Sequence, residues 1–190
     1  MTAARFWNVP NSLTMSRLGF GAIAIALIGG GWYLGAAAAF GLGAITDALD
    51  GYFARKLNQS SALGRQLDPL VDKLVVAALL IVLVPVPGSG LPSWLVAAIV
   101  VRELLIQGIR SLIEGKGEPF GAKMAGKLKT TCQCLAIVAI LMVLSRTPGQ
   151  PWIFVRDALI WGSLALTLYS GLGYVVAALP SLAAETSPGE

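Results

Sequence analysis

Apolar stretches close to membrane-spanning length follow one another along this chain, cut only by short glycine- and proline-rich breaks, and few folds can accommodate that pattern. The breaks are Gly29-Gly30-Gly31, Pro85-Val86-Pro87-Gly88 and the pair Pro148 and Pro151. Between them the pattern predicts six helices: Leu13 to Ile28, Tyr33 to Lys56, Leu67 to Val84, Ser93 past Arg110, Lys127 to Leu144, and Asp157 to Ala178. At 56% hydrophobic and 13% charged over 190 residues, the chain has more apolar sequence than one globular core needs. The expectation is an all-α, polytopic membrane protein with six transmembrane helices. Residues 1–180 form one membrane domain, and 181–190 are a polar, disordered tail.

Arg5, Trp7 and Pro10 precede the first apolar run with no small-residue cleavage site, so that run is expected to stay as a membrane helix. Phe6 and Trp7 beside Arg5 suit a short interfacial segment. Cys132 and Cys134 sit in an apolar stretch and read as small buried hydrophobes. The chain has no histidine, which excludes histidine nucleophiles, bases and metal ligands.

Six spans place both termini on one side. With the N-terminus inside, Arg5, Arg17, Arg55, Lys56, Arg65, Lys73, Arg110, Lys116, Lys123, Lys127 and Lys129 fall at or near the cytoplasmic face, against Arg146 and Arg156 opposite. The positive-inside rule then predicts a cytoplasmic (plasma) membrane protein with N-in, C-in topology and a site reached from the cytoplasm.

Four aspartates stand out against this apolar background. Asp47 and Asp50 lie three apart near the end of the second segment, and Asp68 and Asp72 four apart at the start of the third. Each spacing puts both carboxylates on one helix face. The short polar link Asn58-Gln59-Ser60-Ser61 makes the two helices antiparallel neighbours, so all four can converge. Unrelieved, four such anions repel strongly. Hard divalent cations, Mg²⁺ or Mn²⁺, suit oxygen ligands that also share substrate phosphates, and two ions form a clamp for in-line displacement at phosphorus. Gly51 and Gly64 admit two readings, close approach of a nucleotide to the backbone or tight packing of membrane helices. Arg55, one turn beyond Gly51, either pairs with a phosphate or snorkels to the interface.

In full the segment reads Asp47-x2-Asp50-Gly51-x2-Ala54-Arg55-x8-Gly64-x3-Asp68-x3-Asp72. A match at these fixed positions arises by chance on the order of 10⁻⁸ per chain. It resembles the signature of the CDP-alcohol phosphotransferases, and the resemblance covers nearly the whole chain. It implies a six-helix fold, commonly a homodimer, that moves a phosphatidyl group from CDP-diacylglycerol to an alcohol and releases CMP. By the same resemblance Asp47, Asp50 and Asp68 bind metal, and Asp72 both touches metal and acts as general base. The cytidine and diphosphate would contact Gly51, Arg55, Ser61 and Gly64, with Pro10, Asn11 and Thr14 from the start of the first helix. No nucleic-acid partner is expected.

Further matches, Asn11-x-Leu13-Thr14-x2-Arg17, Arg102-Glu103, Arg110, Gly126-Lys127-x-Lys129-Thr130 and Leu166-x2-Tyr169-Ser170, look like the bacterial phosphatidylglycerophosphate synthase branch, which uses glycerol 3-phosphate. A dianionic acceptor needs cations. Arg110, Lys127, Lys129 and Arg102 are candidates, although positive-inside topology also accounts for the lysines. Arg102 falls mid-helix, where a cavity role or an acidic partner is expected. Glu103, Gln107 and Arg110 form one inward polar stripe. Two relatives of the same fold stay open, one using phosphatidylglycerol and one an inositol phosphate. A cation transporter would also carry membrane carboxylates, but no internal repeat or midplane broken helix accompanies these.

Overall fold

In the computed structural model, residues 9–57, 62–115, 124–146 and 149–183 are described. They form six helices and no strand: α1 (Val9–Gly29), α2 (Tyr33–Leu57), α3 (Ala62–Leu83), α4 (Ser93–Gly115), α5 (Met124–Ser145) and α6 (Gln150–Ala183). The side chains of Pro10, Asn11, Thr14, Asp47, Asp50, Gly51, Arg55, Gly64, Asp68, Asp72 and Lys127 lie outside those described, as does Ser61 altogether.

The six expected helices are present, with longer ends. α1 starts at Val9, not Leu13, so Pro10 and Asn11 join Thr14 in its opening turns instead of preceding the helix. Proline at that point costs no bond, because the first amides of a helix have no intrahelical acceptor. The same reason lets α6 begin at Gln150 and hold Pro151 in its first turn, where the proline pattern suggested a start at Asp157.

α1 ends where the glycine run requires it. Trp32 N donates to Leu27 O at 2.8 Å and Gly31 N to Ile28 O at 3.0 Å, the paired closing bonds of a Schellman cap. Gly31 takes φ 76°, open to glycine at little cost. The chain reverses, and α2 packs antiparallel on α1 with small residues at the seam: a Cβ on Gly43 would stand 3.1 Å from Phe20 Cβ, and one on Gly35 3.4 Å from a Leu27 methyl. Close backbone approach is how helices gain packing where surrounding lipid is as apolar as the side chains.

α5 and α6 form a second antiparallel pair, while α4 runs parallel to α6, with Trp94 beside Trp161 at 5.8 Å and Arg102 beside Ser170. Further packing of α1 on α3, α2 on α5, and α3 on α4 and α5 closes the bundle. The apolar core includes Ala24, Ile28, Phe40, Leu79, Leu83, Leu95, Ile99, Ile137, Ile140 and Leu141.

Among the described residues two stretches, Leu128–Ser145 and Pro151–Ala178, are long and apolar enough to cross a membrane, and each is only 39% buried. A core helix of a water-soluble protein would be mostly covered, so these faces identify a membrane protein. Met15–Gly29, Tyr33–Thr46 and Lys73–Leu83 are apolar but shorter, which narrows the expectation of six uniform spans. The cause is local: α1 to α4 carry charge toward one end, with Arg17, the Asp47 and Asp50 pair, Asp68, Asp72 and Lys73, then Arg102, Glu103 and Arg110. Toward the other end lie the exposed aromatics Trp32, Trp94, Trp152 and Phe154, residues suited to an interfacial belt.

Candidate active site

The charged end is built from the C-terminal halves of α2, α4 and α6 and the N-terminal halves of α3 and α5, which alternation of direction brings together. It encloses a cavity of about 370 Å³. Among the described residues Lys73, Arg102, Glu103, Arg110, Lys129 and Tyr174 are its charged and aromatic lining, four cations and one carboxylate.

Lys73, Arg102 and Lys129 are held by a polar network that crosses four helices. Glu103, buried on α4, accepts from Lys129 Nζ of α5 and from Arg102 Nη1 at 3.2 Å. Arg102 Nη2 donates to Ser170 Oγ of α6 at 2.7 Å. Lys73 on α3 donates to Gln107 of α4, and Gln133 Nε2 of α5 donates to Thr167 Oγ1 of α6 at 3.1 Å. All of these links but the one from Arg102 to Glu103, neighbours on α4, run between helices. Removing one partner of a buried ion pair leaves an uncompensated charge and typically costs about 3–5 kcal/mol, so the Glu103 cluster holds the charged end together as well as lining it.

The expected stripe is realised: Glu103, Gln107 and Arg110 face the bundle from α4, and Arg110 lines the cavity. Arg102 lines it too, but its guanidinium is committed to Glu103 and Ser170, the acidic partner that its mid-helix position called for. Gly171 makes room, since a Cβ there would stand 2.9 Å from Arg102 Nε. Lys129 is 4% exposed and bound to Glu103 at the cavity wall.

Asp47 and Asp50 take their places in α2, and Asp68 and Asp72 in α3, with Asp72 immediately preceding the cavity residue Lys73. Gly51 and Arg55 follow on α2, and Gly64 lies in the opening turn of α3. Among the described residues no cluster of acidic or sulfur ligands forms a metal site. The four aspartates outside that set are the donors to weigh, and hard carboxylate oxygens at helical spacing fit Mg²⁺ or Mn²⁺.

Lys73, Gln133, Thr167 and Tyr174 were not singled out for the site from sequence. Their signal was present: Lys129 and Gln133 repeat at i and i+4, and Thr167, Ser170 and Tyr174 at i, i+3 and i+7, a polar stripe on otherwise apolar helices.

An all-helical membrane protein with a cationic cavity beside an aspartate-bearing helix pair is the class that fold and site define. The sequence model of the CDP-alcohol phosphatidyltransferase family matches residues 7–169, and the chain belongs to that family. It is 36% identical over 184 residues to a Bacillus subtilis protein, covering 88% of this chain and 93% of that one. To a Pseudomonas fluorescens protein it is 36% identical, covering 92% of each. A Rickettsia typhi protein is 32% identical, covering 88% of this chain and 94% of its own. All three are named CDP-diacylglycerol–glycerol-3-phosphate 3-phosphatidyltransferase.

Proposed function

We propose that this protein transfers the phosphatidyl group of CDP-diacylglycerol to glycerol 3-phosphate, forming phosphatidylglycerophosphate and CMP in bacterial phospholipid synthesis. The observation that carries the reading is the set of cations in the cavity: Lys73, Arg102, Arg110 and Lys129, against Glu103 among the described lining residues. Such a set suits a small phosphomonoester dianion, whose oxygens take charge-assisted hydrogen bonds. The names of relatives aligned over nearly their whole length support the same acceptor.

Arg110 and Lys127 hold the acceptor phosphate, Lys129 adds charge from the wall, and Arg102 serves the cavity through Glu103. Pro10, Asn11, Thr14, Gly51, Arg55, Ser61 and Gly64 receive the CDP end of the donor, the two glycines by letting it approach the backbone. Asp47, Asp50, Asp68 and Asp72 would hold two Mg²⁺ or Mn²⁺ ions, which when bound neutralise diphosphate charge and acidify a coordinated hydroxyl. Asp72 takes the proton from the attacking primary hydroxyl of glycerol 3-phosphate as its oxygen bonds to the β-phosphorus of the donor, and the P–O bond to CMP breaks in the same in-line step. No histidine exists to form a covalent relay, and a single displacement needs none.

All six helices cross the membrane, with both termini and the cavity on the cytoplasmic side, and the protein works as a homodimer. The segregation of cations to the cavity end and exposed tryptophans to the other supports that orientation. Purified protein in mixed micelles, given labelled CDP-diacylglycerol and a panel of glycerol 3-phosphate, phosphatidylglycerol and inositol phosphate, tests the reading. Transfer to glycerol 3-phosphate, abolished by EDTA and restored by Mg²⁺ or Mn²⁺, is expected. Preference for another acceptor overturns the substrate, and full turnover in EDTA overturns the metal.

A further inference from the structure

Glu103 is the one acid among the described cavity-lining residues, and it stands where two cations meet. It sits on α4 between Arg102, its neighbour in sequence, and Lys129 of α5, and all three side chains are about nine-tenths buried or more. Arg102 is itself anchored: Ser170 Oγ accepts from Nη2 at 2.7 Å, and the side chain lies over Gly171, where no Cβ intervenes. The order of dependence is therefore α6 to Arg102, Arg102 to Glu103, and Glu103 to Lys129. A long, flexible lysine loses rotamer freedom when it is held in one place. A carboxylate whose Oε1 accepts from the anchored Arg102 as well as from Lys129 supplies that restraint before substrate arrives.

We infer that Glu103 is a positioning residue for acceptor recognition, holding Lys129 at the cavity wall so that its charge meets the acceptor phosphate. The inference rests on the proposed phosphomonoester acceptor and adds to it an acid that does not touch the substrate. It also assigns Ser170 and Gly171 a part, as the anchor on which Arg102 and then Glu103 depend.

Reversing the pair separates this role from a merely structural one. In the double variant Glu103→Lys with Lys129→Glu the ion pair is retained, but a carboxylate takes the place of the ammonium on α5. The expected result is an acceptor KM raised at least about tenfold, with the CDP-diacylglycerol KM within about twofold of the parent. An acceptor KM equal to the parent's would reduce the pair to structure and overturn the inference. Glu103→Gln and the milder Ser170→Ala supply the same readout should the reversal fold poorly, because KM reports on the folded fraction irrespective of yield. Rises of about tenfold and about threefold are expected, and no change in either overturns the inference. If the parent enzyme prefers a different acceptor, the substrate assignment falls, while the KM shift measured with that acceptor still decides the role of Glu103.

Discussion

Arg102 and Ser170 join α4 to α6 through a 2.7 Å hydrogen bond from Nη2 to Oγ, and Gly171, next along α6, leaves the space into which that guanidinium fits. A methyl on residue 171 would stand 2.9 Å from Arg102 Nε and 3.3 Å from its Cγ. Because Glu103 and Ser170 hold the far end of the side chain, it cannot simply swing aside. Gly171→Ala is expected to destabilise the protein by about 1–3 kcal/mol through overpacking. The check is a lower thermal midpoint in detergent, with the acceptor KM rising as Arg102 shifts.

Arg110 lines the cavity one helical turn beyond Gln107 and carries charge toward the proposed acceptor. Its replacement by alanine removes a charge-assisted contact of about 1.5–3 kcal/mol, equivalent to roughly tenfold to more than a hundredfold in affinity. Steady-state kinetics on Arg110→Ala should therefore show the glycerol 3-phosphate KM raised by that factor and the donor KM nearly unchanged. A defect confined to the donor would move Arg110 to the CDP side.

Asp72 precedes Lys73 on α3 and is assigned the proton. Asp72→Asn keeps an oxygen that reaches metal but cannot act as base at neutral pH. Donor binding, measured by retention of CDP-diacylglycerol, should persist while kcat falls by about 10²–10⁴. A near-parental rate would place the base elsewhere.

At the opposite end, Arg156 Nη1 donates to Gly88 O at 2.6 Å while its Nη2 pairs with Asp157 at 2.7 Å, fastening the α3–α4 connection to α6. Gly90 has φ 73°, and a Cβ there would meet the Arg156 guanidinium at 2.8 Å. Gly90→Ala should cost about 1–2 kcal/mol from backbone conformation alone. Thermal denaturation should register that loss while both substrate KM values stay put, since this contact lies far from the cavity end.

What the sequence determined by itself was the helical architecture and, through the aspartate signature, the family. Runs of Leu, Ile, Val and Ala broken by Gly29-Gly30-Gly31 and Pro85-Val86-Pro87-Gly88 admit little besides helices, and the spacing of Asp47, Asp50, Asp68 and Asp72 identifies a family because each position is written locally. Helix ends were less legible at Val9 and Gln150, because proline in a first turn and proline before a helix look alike in a string of residues. Partnership was decided only by tertiary structure. Arg102, Lys129 and Glu103 all read as charges near a site, yet nothing local distinguishes a cation that faces substrate from one that anchors an acid. That distinction depends on α6 running parallel to α4, which sets Ser170 and the bare Cα of Gly171 against Arg102, and on α5 crossing where Lys129 meets Glu103. A buried charge takes its role from the groups that satisfy it, and here those groups come from other helices.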